Sequence, residues 1–288
     1  MIDPDTRLGP VELTVTDLDR TIAFHRDVTG LSLQSRNGAR AAMGAGEEDI
    51  LVFAESPSAG PAGAHAGLYH VALLFPSRLE LARAAARVGA TGAPIQGASD
   101  HGTHEAIYLP DPDGNGLELA ADRPRERWPD LSDPGFLRGG PQPLDLAGLL
   151  GLVAGAELSP LAEPGLAVGH VHLHVGDVDA TLRFYTEDVG FETTLDFTPG
   201  GAFVSAGGYH HHVAFNTWPG AGVPEAPGDV VGLRHFTVYV PSDGELAAVR
   251  ARLESADVPI EERDGDVLVR DPAGNALHIA SDPRRRTR

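Results

Sequence analysis

The chain contains one pattern twice. Val15-Thr16-Asp17-Leu18-Asp19-Arg20-Thr21-Ile22-Ala23-Phe24, running on to Gly30-Leu31, returns as Val175-Gly176-Asp177-Val178-Asp179-Ala180-Thr181-Leu182-Arg183-Phe184, running on to Gly190-Phe191. Asp17 and Asp177, Phe24 and Phe184, and Gly30 and Gly190 are each 160 residues apart. A second pair keeps the same offset: Asp111-Pro112-Asp113-Gly114-Asn115 and Asp271-Pro272-Ala273-Gly274-Asn275. One shared offset across two distant stretches means a duplicated unit, and internal duplication limits the possible folds more than composition does. The expected organisation is an N-terminal domain over 1–122, a linker over 123–165 and a C-terminal domain over 166–288.

Each copy holds its own pattern twice. An alternating β-branched strand leads through Asp, a good helix N-cap, into an amphipathic helix that stops at Gly. Short strands follow, such as Ala39–Met43 and Asp49–Ala54. The cycle then restarts with a strand over Tyr69–Phe75, a helix over Leu79–Val88, and strands over Glu105–Leu109 and Gly116–Ala120. In the second copy the counterparts are Leu233–Val240, Glu245–Ser255, Val267–Arg270 and Ala276–Ala280. The expected fold class is α+β: four β-α-β-β-β modules forming two half-open barrel domains. The Pro- and Gly-rich linker contains one short helix candidate, Leu144–Val153, and is expected to pack against one domain.

Composition excludes several classes of function. With no cysteine there is no disulfide, thiolate nucleophile or Cys-ligated metal, so any metal must be held by His, Asp, Glu or backbone groups. A formal charge of −19 argues against a nucleic-acid partner. The Arg284-Arg285-Arg286 cluster with Arg288 is read as a frayed tail. No apolar run reaches the length of a membrane span, and Met1–Asp5 lacks the basic-then-apolar order of a signal peptide. A cytoplasmic protein with no membrane partner is expected.

Paired modules with a strand–Asp–helix–Gly signature and an Asp-Pro-x-Gly-Asn turn before the last strand resemble the vicinal oxygen chelate superfamily. That superfamily comprises the glyoxalase, bleomycin-resistance and extradiol-dioxygenase proteins. The stretch Ser99-Asp100-His101-Gly102 through Glu105-Ala106-Ile107-Tyr108 resembles its two-domain catechol-2,3-dioxygenase-like branch. The resemblance implies a divalent metal inside each equipped barrel, held from the first and last strands of each module. Carried onto this sequence, the first-strand position seven residues before Asp177 is His170. The His-x-aliphatic-Ala-Phe strand His211-His212-Val213-Ala214-Phe215 supplies His211, and the position three residues after Asn275 is His278. The implied metal ligands are therefore His170, His211 and His278, with His235 as the acid–base group. His278 stands where the extradiol members carry Glu, and Gly244 where they carry Tyr.

The other histidines are read more plainly. His172, His174, His210 and His212 are taken as cavity or surface residues. His25, His65, His101 and His104 are taken as packing or surface residues, the last two bordering a Gly-containing loop. The N-terminal equivalents, Pro10, Asp49, His70 and Glu118, make a poor ligand set, because Pro10 has no donor side chain. The N-terminal domain is accordingly expected to be degenerate and structural.

The implied function is a metal-dependent extradiol-type dioxygenase that opens a catechol-like aromatic ring with O2. Fe(II) is the expected metal, with Mn, Zn or Ni as substitutes. Two other readings stay open: a glyoxalase-type isomerase, which needs a carboxylate at the metal, and a non-catalytic small-molecule binder. Exposed sheet edges also make a homodimer one of the expectations.

Overall fold

The computed structural model describes every residue except 132, 134–138, 264 and 286–288. Four modules are present. The first runs β1 (Arg7–Val15), a helix over Leu18–Phe24, β2 (Ser32–Asn37), β3 (Arg40–Ala45) and β4 (Glu48–Glu55). The second runs β5 (Gly67–Leu74), a helix over Arg78–Thr91, β6 (Gly97–Asp100), β7 (His104–Pro110) and β8 (Gly116–Asp122). After the linker strand β9 (Gln142–Pro143) come β10 (Ala167–His174), a helix over Val178–Arg183, β11 (Glu192–Asp196), β12 (Gly201–Ser205) and β13 (Val213–Asn216). The fourth runs β14 (Gly232–Val240), a helix over Asp243–Ser255, β15 (Glu261–Arg263), β16 (Asp266–Arg270) and β17 (Ala276–Ser281).

Local chemistry explains these boundaries. The carboxylates of Asp17 and Asp177 accept from the amides of Arg20 and Ala180 at 2.9 and 3.0 Å, and the hydroxyls of Ser77 and Ser242 cap the longer helices in the same way. Gly30 and Gly190 stop their helices in the left-handed region, at φ 81° and 105°, where a Cβ would clash. In the Asp-Pro-x-Gly-Asn turns, Asp111 Oδ1 accepts from the amides of Asp113 and Asn115, and Asp271 Oδ1 from those of Ala273 and Asn275. These side chains close each turn from within, so the turn sets where the last strand of its module begins.

The modules pair across the two halves of the chain. The first and fourth share an eight-stranded sheet, ordered β15-β16-β17-β14-β1-β4-β3-β2. The second and third share a nine-stranded sheet, ordered β11-β12-β13-β10-β5-β8-β7-β6-β9. At the centre of each, first strands run antiparallel: β1 with β14, and β5 with β10. Each curved, unclosed sheet therefore takes one module from each half of the chain, 1–122 and 166–288. Val11, Leu13, Val71, Leu73, Val171, Leu173, Phe236 and Val238 are buried along these central strands.

The linker adds β9 to the edge strand β6 through Ser99–Pro143 and Asp100–Gln142, and its helix spans Leu146–Gly151. At the C-terminal end, Arg284 lies 3.0 Å from Glu48 and Arg285 lies 3.1 Å from Asp5, so these two arginines are tied down rather than frayed. Arg286 and Arg288 lie outside the described residues.

Candidate metal centre

The β5–β10 seam gathers most of the chain's histidines. His70 on β5 pairs with His172 on β10 across the ladder. His170 sits in a break of register between Val168 and Val171, the kind of irregularity that re-aims a side chain. Glu118 on β8 lies beside Ala72 of β5. Their polar atoms converge. Glu118 Oε2 is 3.0 Å from both His70 Nε2 and His170 Nε2, and the two Nε2 atoms are 3.2 Å apart. All three residues are buried, Glu118 to 1% exposure.

This triangle suits a cation. Ligand atoms about 2.1 Å from an ion on one octahedral face stand about 3 Å from each other, and two His with one carboxylate leave the other positions open. Two Nε2 atoms 3.2 Å apart can share only one proton between them, whereas an ion satisfies both. Burial alone would raise the Glu118 pKa. His170, together with hydrogen bonds from His104, His170 and His70, carries it well below the usual carboxylate range. Burial lowers the pKa of His170 against the pull of Glu118, which favours the neutral, ligating imidazole. His104 Nε2 lies 3.1 Å from Glu118 Oε1, and the Thr103 hydroxyl is 2.8 Å from His104 Nδ1. His104 therefore lies beside one carboxylate oxygen while the other faces His70 and His170.

A cavity of about 460 Å³ opens in front of the triangle. Tyr69, Phe197, Phe203 and Trp218 form aromatic walls, and no arginine lines it among the described residues. Tyr108 reaches His101 through a 2.7 Å hydrogen bond, and burial with Glu118 nearby raises its pKa. His211 lines the cavity with its ring 4.1 Å from that of His170, and burial, then His170, carries its pKa well below that of free histidine. His172 Nε2 already accepts from the Asn216 amide at 2.8 Å.

The description of the glyoxalase/bleomycin resistance protein/dioxygenase superfamily matches residues 7–119 and 167–279. The chain belongs to that superfamily. It is 38% identical over 279 residues to the catechol-2,3-dioxygenase of Bacillus subtilis (strain 168), covering 96% of this chain and 97% of that protein. Biphenyl-2,3-diol 1,2-dioxygenase 3 of Rhodococcus globerulus is 28% identical over 122 residues, 40% of this chain and 63% of that protein. Among solved structures, glyoxalase I from Zea mays superposes with a TM-score of 0.59 at 17% identity, covering 96% of this chain and 92% of that one; this likeness concerns the fold. At family level the protein is an extradiol-type dioxygenase, an enzyme that works on a small molecule and O2, and its His/Glu/His group points to a divalent metal. Among the described residues, no helix is long and apolar enough to cross a membrane.

Within this superfamily fold the sequence-based site splits in two. His170 and His211 line the nine-stranded sheet, whereas His235 and His278 lie on β14 and β17 of the other. His278 and His235 thus lie on a different sheet from His170, because their module pairs with the first rather than the third. The rings of His235 and His278 are 5.7 Å apart and nearly perpendicular. The nearest carboxylate to His235, Glu12 at 3.9 Å, is already clasped by Arg40 at 2.6 Å and Arg234 at 3.1 Å. His278 instead faces Asp266 at 3.4 Å. Pro10 occupies the place on β1 that His170 occupies on β10.

The residues passed over, His70 and Glu118, carried a usable signal. His70 stands seven residues before the cap Ser77, as His170 stands seven before Asp177, and Glu118 follows Asn115 by three. Their positions were legible; their partner module was not. Close backbone approach also matters here. A Cβ at Gly116 would run into the Tyr69 carbonyl oxygen and come within 3.1 Å of the His70 Cβ. Gly116→Ala is expected to push β8 from β5 at a cost of about 1–3 kcal/mol. It should weaken metal retention as well; an unchanged melting temperature and metal content would refute this account.

Proposed function

We propose that the enzyme is a metal-dependent dioxygenase that opens the ring of a neutral, apolar-substituted catechol beside its two hydroxyls. His70, His170 and Glu118 hold the metal, and His211 is the acid–base group. The carrying observation is the triangle of donor atoms with 3.0, 3.0 and 3.2 Å edges at the floor of an aromatic cavity. Fe(II) suits two imidazoles and one carboxylate with open positions, and Mn would fit the same donors. A divalent ion held there would supply Lewis acidity and, if redox-active, an electron path for the reaction with O2.

The protein's own residues do the rest. Phe203, Phe197 and Trp218 receive the ring and its substituent. His211 takes a proton from a catechol hydroxyl and later returns it, a role that suits a neutral buried imidazole. Tyr108 stays protonated and donates a hydrogen bond within the cavity. The carbon–carbon bond next to the diol breaks, and both atoms of O2 enter the product, as a carboxylate and an aldehyde or ketone. A glyoxalase-type isomerase needs a carboxylate free to collect a proton. Glu118, with Oε2 3.0 Å from two histidine nitrogens and Oε1 3.1 Å from a third, favours ring cleavage.

The test is turnover by protein purified without chelator or His tag. A yellow ring-fission product from catechol and O2 is expected, with about one iron or manganese per chain. Alkyl- or aryl-substituted catechols should exceed a ring-carboxylated catechol about tenfold or more in kcat/KM, since each buried methylene contributes about 0.8 kcal/mol and a carboxylate would meet no cation. Preference for the carboxylated substrate would refute the substrate class, and absence of ring fission with metal bound would refute the reaction.

A further inference from the structure

Behind His211 lies a chain of polar groups that the proposed reaction has not yet used. His210 Nδ1 is 2.8 Å from His211 Nδ1, and His210 Nε2 is 3.1 Å from Asp122 Oδ1. Both imidazoles are buried, to 3% and 6% exposure, while the Asp122 side chain at 26% reaches the edge of the solvent. Trp128 covers the His210 ring at 5.2 Å.

The same residues could be mistaken for a second metal site, because donor atoms of His104, Asp122 and His210 lie within 4.8 Å of one another. Ring orientation argues against that. The His104 and His210 rings stack 4.7 Å apart at 16°, so their in-plane lone pairs run side by side instead of meeting at one point. His104 Nδ1 is also taken by the Thr103 hydroxyl, and its Nε2 lies 3.1 Å from Glu118.

We propose that Asp122 and His210 are positioning residues that fix His211 in the tautomer protonated at Nδ1, leaving its Nε2 lone pair as the proton acceptor. The catalytic consequence rests on the reading of His211 as the acid–base group. The argument is a count of protons. A carboxylate only accepts, so His210 must carry its hydrogen on Nε2, facing Asp122. A neutral imidazole has one N–H, so His210 Nδ1 is bare and must accept. The 2.8 Å contact then requires the hydrogen to sit on His211 Nδ1. His211 Nε2 is left without a hydrogen. Each link is dictated by the one before it, and the direction is set at Asp122.

The test uses the full-length protein, loaded with zinc so that NMR lines stay narrow, and labelled with 15N-histidine. Nitrogen shifts and two-bond couplings report the tautomer of each ring directly. In the parent, His210 is expected as the Nε2–H form and His211 as the Nδ1–H form; His211 with its hydrogen on Nε2 would overturn the proposal. Asp122→Leu removes the acceptor, so both rings should shift towards the opposite tautomers. In iron-loaded protein kcat should fall about tenfold or more, with KM within about twofold, the range expected when general-base catalysis is impaired. Asp122→Asn keeps an accepting oxygen and should preserve both the tautomers and kcat. A Leu variant with unchanged tautomers, or one that loses no more kcat than the Asn variant, would overturn the assignment. Should catechols not be turned over at all, the failure falls on the reaction, and the tautomer measurement still decides the inference.

Discussion

Glu118→Gln should lose at least about a hundredfold in metal affinity and its ring-cleavage activity, while His278→Gln and His235→Gln keep both within about twofold. Altering even an indirect partner of a ligand typically costs 10–100-fold, and Glu118 stands in direct reach of the metal position. Its carboxylate lies 3.0 Å from two imidazole Nε2 atoms, and it is held ionised by its histidine partners. Glutamine keeps the shape but removes the charge that offsets a divalent ion, and its amide would present hydrogens to histidine nitrogens that need an acceptor. Metal content measured alongside a thermal melt separates ligand loss from unfolding. Retained metal in Glu118→Gln together with lost metal in His278→Gln would restore the set expected from the sequence.

A second large effect concerns acid stability. His25 is fully buried against Phe24 and Phe53, and neither ring nitrogen has a hydrogen-bond partner. Burial lowers its pKa from 6.5 to about 3. Between those values the unfolded chain binds a proton that the native protein refuses, so stability rises with pH across this window. The contribution is complete above about pH 6.5 and is lost as pH falls towards about 3, amounting to as much as about 5 kcal/mol. His25→Leu, close in size and apolar, should be at least as stable as the parent at pH 7.5, because two unpartnered nitrogens leave the core. Between pH 7.5 and 4.5 it should lose about 3 kcal/mol less than the parent in urea unfolding. Equal losses in the two proteins would show that His25 is protonated in the native state.

The sequence by itself determined the parts. Four modules, their caps and stops, and the Asp-Pro-x-Gly-Asn turns all depend on contacts within a few residues, such as Asp177 to Ala180 or Asp271 to Asn275. Such contacts leave a periodic trace that can be read without coordinates. The family resemblance, counted from the same caps and turns, placed candidate ligands at His170 and His278 and the acid–base candidate at His235, and the same spacing picks out His70 and Glu118. Only the tertiary structure decided which of these meet. Every module offers an alternating first strand with one apolar face, and that pattern suits any antiparallel partner. The choice of β5 with β10 and β1 with β14 depends on side chains far apart in the chain, His70 opposite His172 and Glu12 opposite His235, and no local pattern records it. That choice assembles two imidazoles and a carboxylate on one sheet, and on the other leaves His235 beside a glutamate already held by two arginines and His278 facing Asp266.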